Sequence, residues 1–318
     1  MTIGHHLEEL YGLPAFAFPG PGEQAELPEP DAVAWRVAGD VYDAEEEWAD
    51  AFARFLAAVD TTRVRALIVG AWTDAYETDS SAVIAALLAA RDRLPALRAL
   101  FLGDLVMEEA ELSWIQQTDV TGVLTGFPEL AEFGVRGGTG LEFPALEHAA
   151  LRKLVVQTGG LPVEVVRGIG GSDLPALEYL ELWLGDSMYG ADTTGSDLEP
   201  ILSGTRLPAL RHLGLRNSEI QDEIAAAVAS APVVDRLETL DLSMGTLGDE
   251  GAAALLAGRP LTHLAFLDLH HHYLTEPLQQ RLRETLEPAG VRLDLDEDDA
   301  DSYENEDGTV QRFVAIGE

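Results

Sequence analysis

Apolar residues in this chain return in a phrase. Leu-Pro-Ala-Leu-Arg-Ala-Leu-Phe-Leu at 94–102 comes back as Leu-Pro-Ala-Leu-Glu-Tyr-Leu-Glu-Leu at 174–182 and Leu-Pro-Ala-Leu-Arg-His-Leu-Gly-Leu at 207–215, with a weaker copy at 127–135. Its core spacing, L-x-x-L-x-L, recurs at Leu151/Leu154/Val156, Leu237/Leu240/Leu242 and Leu264/Leu267/Leu269. Looser versions stand at Ala32/Trp35/Val37 and Val64/Leu67/Val69, and a last strand ends at Leu293/Leu295. Alternating leucines in the second half of the phrase describe a short strand whose buried side chains share one face. The third apolar position falls at Val37, Val69, Leu102, Val135, Val156, Leu182, Leu215, Leu242, Leu269 and Leu295. That series predicts about ten strands.

Between them the period changes to that of a helix. Trp48, Phe52, Phe55 and Val59 recur at helical intervals, as do Leu278, Leu282 and Leu286, while Ile224 and Val228 sit in an alanine-rich run. A strand and helix of this size cannot bury their apolar faces alone, so the units must stack. The prediction is an α/β solenoid with a parallel sheet on its concave side and helices on its convex side. Two intervals break the rhythm. The 21 residues from Val135 to Val156 are too few for a full helix, so the Gly137-Gly138-Thr139-Gly140 connection should run extended. Asp186–Ser196 reads as an inserted loop, a common place for function.

Leu237-Glu238-Thr239-Leu240-Asp241-Leu242-Ser243, followed by Leu247-Gly248-Asp249-Glu250-Gly251-Ala252-Ala253-Ala254-Leu255-Leu256, resembles the repeat of ribonuclease-inhibitor-like leucine-rich-repeat proteins. The resemblance is good at 207–230 and 261–287, fair at 94–110 and 174–186, and carried by spacing alone before residue 90. It implies a horseshoe and a role in binding other proteins. The turn position that the family usually gives to asparagine holds Ser218, Gly245 and His272 here, so the backbone ladder at those turns must be supported by other groups. The expected organisation is a cap over residues 1–30, a repeat array over 31–295, and an acidic connection with a capping strand over 296–318. In that last part Val291–Asp296 and Gln311–Ile316 flank an acidic stretch with an Asp307-Gly308 turn, which suggests a chain end folding back as an antiparallel edge strand, with a disordered tail as the alternative.

Charge narrows the partner. There are 56 acidic and 20 basic residues, a formal net charge of −36, and Lys153 is the single lysine. Such a surface repels phosphate backbones and anionic membranes and attracts cationic proteins or metal ions, although solvated acidic faces that only confer solubility account for the same count. There is no cysteine, which excludes disulfides and thiolate chemistry. The first residues lack a basic start and an apolar run, and nowhere do roughly 18 apolar residues follow one another, so the expectation is a cytoplasmic protein that does not span a membrane.

In the predicted register one concave column reads Glu181, Gly214, Asp241, Asp268 and Asp294. Beside it run Trp183, Arg216, Ser243, His270 and Asp296, and a third column holds Tyr179, His212 and Phe266. Carboxylates flanked by aromatic and histidine side chains suit a basic protein or peptide, with Tyr179 and Trp183 as anchors, although Leu-Asp-Leu-Ser is also ordinary repeat sequence. A narrower version, carried by the resemblance, is an inhibitor or immunity-like protein directed at a basic enzyme. The rival from another class is a metal-assisted enzyme using His270-His271-His272, where alternation along a strand would bring His270 and His272 to one ion with Asp241 or Asp268. No Walker loop, H-E-x-x-H or G-x-S-x-G is present, and Gly168-Ile169-Gly170-Gly171 lacks dinucleotide-fingerprint spacing. The sequence therefore points away from an enzyme and names no catalytic residue, cofactor or resident metal.

Overall fold

A computed structural model describes residues 3–41, 46–297, 300–305, 308 and 310–317. Its contacts divide the chain into two compact units, the first formed by 3–144 and 148–157, the second by 145–147 and 158–317. Both are α/β, with mostly parallel strands that neighbour each other in chain order.

In the first unit the strands are β1 (Glu9–Leu10), β2 (Leu13–Ala17), β3 (Ala34–Val37), β4 (Ala66–Val69), β5 (Ala99–Leu102), β6 (Glu132–Arg136) and β7 (Lys153–Gln157). Helices α1 (Trp48–Ala58), α2 (Ser81–Ala89) and α3 (Thr121–Gly126) connect β3 through β6. The strands keep one register: Trp35 pairs with Leu67, Leu67 with Leu100, Leu100 with Phe133 and Phe133 with Leu154. This row is buried toward the helices, where Trp35 lies 5.5 Å from the Phe55 ring of α1. The Trp48 indole closes the same joint by donating to the Val37 carbonyl at 3.0 Å. Among the described residues no helix lies between β6 and β7; Thr139 instead forms an extended bridge to Gln116, as the short interval requires.

The opposite sheet face carries Ala34, Ala66, Ile68, Ala99 and Phe101, all buried, and the chain's own start covers it. Leu10 packs into that cluster with Leu7, Tyr11, Leu13 and Ala15 around it. The expected cap over 1–30 is thus partly an edge, since β2 runs parallel to β3, and partly a cover. A buried ionic knot pins the cover. Asp104 has no solvent exposure, accepts from the Leu7 amide at 3.1 Å and pairs with Arg36 at 2.9 Å and Arg136 at 3.3 Å. His6 stands 3.5 Å from the same carboxylate.

The second unit opens with α4 (Val163–Gly171) and continues through β8 (Tyr179–Gly185), α5 (Glu199–Ser203), β9 (His212–Ser218), α6 (Gln221–Ala229), β10 (Thr239–Asp241), α7 (Asp249–Ala257), β11 (Phe266–Asp268), α8 (Glu276–Leu286) and β12 (Arg292–Asp294). Every one of the ten predicted strand positions is met by a strand, with Leu242, Leu269 and Leu295 one residue past the strand ends. Successive units interlock through their helix starts. Asp222 accepts from the amides of Gly248 and Gly251, and Asp249, 27 positions on, accepts from the Thr275 amide and hydroxyl. Carboxylates there satisfy amides that a helix N-terminus leaves unpaired.

Asn217 near the end of β9, and Met244 and His271 in the turns after β10 and β11, take left-handed conformations, with φ of 55°, 67° and 55°. Support at the positions next to them is improvised, as the missing asparagines demanded. The Ser218 hydroxyl accepts from the Ile220 amide, and Gln221 donates to the Leu215 carbonyl at 2.9 Å.

The chain end differs from expectation. Strands β13 (Ser302–Glu304) and β14 (Val310–Arg312) pair with each other, antiparallel, and not with β12. Residues beyond them cross the three left-handed turns. Phe313 offers its carbonyl to His271, the Ala315 amide donates to the Met244 carbonyl at 2.8 Å, and Ile316 exchanges two hydrogen bonds with the Asn217 side chain. Asp298, Asp299 and Asp307, which belong to the predicted acidic connection and its turn, lie outside the described residues.

Candidate functional site

Strands β8 to β12 hold the sequence-predicted residues on the face away from the helices. The register aligns Glu181, Gly214, Asp241, Asp268 and Asp294 in one row, and Tyr179, His212, Thr239 and Phe266 in another. Trp183 lies beside Arg216. Parallel pairing sets such neighbours about 4.8 Å apart, close enough for each side chain to touch the next.

Arg216, which the sequence reading treats as one flanking position among several, is the hub. Its guanidinium reaches Glu181 at 3.3 Å on one side and Asp241 at 3.1 Å on the other, and donates to the Ser243 hydroxyl at 3.0 Å. Gly214 leaves room for this. A Cβ there would stand 3.2 Å from Glu181 Cγ, tighter than ordinary contact, in the strip where Glu181 and Arg216 meet. Glu181 also accepts from the Tyr179 hydroxyl at 2.5 Å and the Trp183 indole at 2.8 Å. The Tyr179 ring stacks on His212 with centroids 3.8 Å apart, and Arg292 lies 3.9 Å over the Phe266 ring.

The ionisations follow from these contacts. Burial pushes Glu181 up, but Arg216 and the two aromatic donors outweigh it and hold the carboxyl below its usual range. Asp241 is raised to about 6, chiefly by burial and further by neighbouring Asp268, with Arg216 offsetting only part. Asp268 is held down against its burial by His270, whose Nδ1 lies 2.7 Å from Asp268 Oδ1. The same contact raises His270. Burial and the adjacent Glu181 carboxylate push the Tyr179 hydroxyl up. One end of the row, Glu181 to Asp241, is therefore partly offset by Arg216, while Asp268 and Asp294 form a half-buried acidic end with His270.

The histidine run does not make the pair that strand alternation suggested. Strand β11 ends at Asp268, and His271 turns left-handed, so the alternation stops before the run. His272 is buried, donates from Nε2 to the Leu295 carbonyl at 3.2 Å and accepts the Leu274 amide at Nδ1 at 3.1 Å. Both ring nitrogens serve the backbone at a position where the family would place asparagine, and burial lowers the group's basicity. His272 is thus a structural residue. One ligand atom from each of Asp268, His270 and Asp294 lies within 4.8 Å of the others, a grouping that draws Asp294 in from β12 and leaves His272 out.

No protein-family model matches the chain, and no curated protein matches it. A crystal structure of a structural-genomics protein from Bacteroides fragilis is similar, with a TM-score of 0.74 at 29% identity over 85% of this chain and 72% of that one. The two share a fold. No helix of the described residues is long and apolar enough to cross a membrane.

Proposed function

We propose that the chain is a leucine-rich-repeat scaffold of the ribonuclease-inhibitor-like type that binds a basic protein or peptide on the β8–β12 sheet face. The observation that carries this reading is the contrast between the two sheet faces. Small apolar residues in the first unit are sealed by the chain's own start, whereas in the second Tyr179, His212, Phe266, Asp268, His270 and Asp294 remain half-exposed. Flat rings held in place by stacking lose little freedom when a partner covers them, and the carboxylates of the acidic end steer a cationic surface toward them. Arg216 shapes the surface that the partner meets, because it ties up the buried Glu181 and Asp241 and leaves Asp268 and Asp294 as the more exposed carboxylates.

The test is affinity capture from lysate of the source cells at low and high salt, with the unmodified chain beside an Asp268→Lys/Asp294→Lys variant. A basic protein held at low salt, released at high salt and absent from the variant is the expected result. Equal capture by the variant removes the assignment to this face.

A further inference from the structure

We infer that Asp268, His270 and Asp294 form a binding site for one divalent transition-metal ion. The argument starts from register. Asp268 and Asp294 are directly paired across β11 and β12, so their side chains leave the same face at neighbouring positions. His270 follows Asp268 by two residues, and its ring turns back to the same carboxylate, 2.7 Å away. The result is two oxygens and one imidazole nitrogen within 4.8 Å of one another. An ion with ligand bonds of about 2.0–2.2 Å in tetrahedral geometry needs donors about 3.4 Å apart, a spacing inside the 4.8 Å that these atoms span.

The surroundings favour a cation at this point. The row continues to Asp241, paired with Asp268, so three carboxylates stand side by side. The Arg216 guanidinium that could offset them is committed to the Glu181 and Asp241 side, 3.1 Å from the latter. Backbone amides orient two of the three donors: the His270 amide donates to Asp268 at 3.1 Å and the Asp296 amide to Asp294 at 3.0 Å. Oriented carboxylates of this kind bind an ion with less reorganisation than free surface acids. Asp268, His270 and Asp294 each keep part of their surface exposed, so an ion can reach them from solvent.

The donor set also selects the ion. One imidazole among two carboxylates suits Zn²⁺ or Mn²⁺, whereas Mg²⁺ prefers oxygen donors and a near-ideal octahedron. Three protein donors leave positions of the ion for an outside ligand.

The site is tested by titrating the tag-free full chain, stripped with chelator, with Zn²⁺ alone and separately with Mg²⁺ alone, following heat and stoichiometry. The expected result is one equivalent of Zn²⁺ in preference to Mg²⁺. Affinity should fall about a hundredfold or more in His270→Gln and in Asp294→Asn, since losing a ligand exceeds the 10–100-fold usual for an outer contact. Asp235→Asn, which alters an exposed carboxylate elsewhere, should bind as the unmodified chain does. Co²⁺ in place of Zn²⁺ should give visible ligand-field bands that both ligand variants lose. Absence of stoichiometric Zn²⁺, or equal binding by a folded His270→Gln/Asp294→Asn double variant, overturns the site. No partner protein enters this measurement, so it stands or fails apart from the scaffold reading.

Discussion

The two units use the same strand geometry for opposite purposes. On the helix-free face of the first, Ala34, Ala66 and Ala99 form a row of small side chains into which Leu10 fits, and Arg36 and Arg136 meet in a carboxylate that has no access to water. On the corresponding face of the second, the rows hold Tyr179, His212 and Phe266 and a file of acids organised by Arg216. Side-chain size and polarity at alternate strand positions thus decide whether a sheet face seals against its own chain or stays open to something else. The difference teaches that the N-terminal segment is a structural component, and it is why the proposed binding face is placed on the second unit.

The comparison can be broken most forcefully at Asp104. Asp104→Ala removes the carboxylate shared by the buried Arg136 and the half-buried Arg36 and should cost about 3–5 kcal/mol, read by denaturant unfolding, with amide exchange accelerating first in β3 to β6. Next, Leu10→Ala removes the side chain at the centre of the cover. It should cost about 2–4 kcal/mol and expose the alanine row to exchange, without change in β8 to β12. In the second unit, Arg216→Ala uncouples Glu181 from Asp241 and should cost about 2 kcal/mol, less than Asp104→Ala because Glu181 keeps the Tyr179 and Trp183 donors and Asp241 keeps the Ser243 amide and hydroxyl.

A pH titration probes the first unit more gently. His148 is buried with Nδ1 accepting the Leu151 amide, and burial lowers its pKa. The unfolded chain therefore takes up the proton first. Stability is complete above the ordinary histidine pKa and declines as pH falls through and below it, a decline that His148→Asn should flatten. The smallest effect belongs to Asp294→Asn, within about 0.5 kcal/mol for a half-exposed edge position, so a loss of binding in that variant cannot be assigned to unfolding.

Much of the second unit was legible in sequence, because from Leu215 to Leu295 its units recur at 26 or 27 residues and each strand alternates cleanly. Register followed from that period, and register alone placed Glu181, Asp241, Asp268 and Asp294 in one row. Arg216 as hub was less visible, since a charge beside an acidic column does not reveal which carboxylates it reaches. The cap over 1–30 was legible only as a stretch outside the repeat, and the sheet face that it covers was not legible. Leu7, Leu10 and Leu13 have no repeat to betray their destination, and their contacts lie far away in sequence. A signal did exist: Arg36, Asp104 and Arg136 interrupt apolar strands or their ends, and charges in such positions must find each other. His272 misled for a physical reason, because a histidine can satisfy a turn as an asparagine does.

The three left-handed residues at the ends of β9, β10 and β11 carry one more consequence. An array of similar units is ordinarily free to grow or shrink by whole units, since each touches only its neighbours. Here a single stretch of chain, Phe313 to Ile316, meets His271, Met244 and Asn217 one after another. It works as a gauge. Deleting or duplicating one 27-residue unit would leave that stretch a turn too long or too short, so the end of the chain holds the number of units in this part of the protein constant.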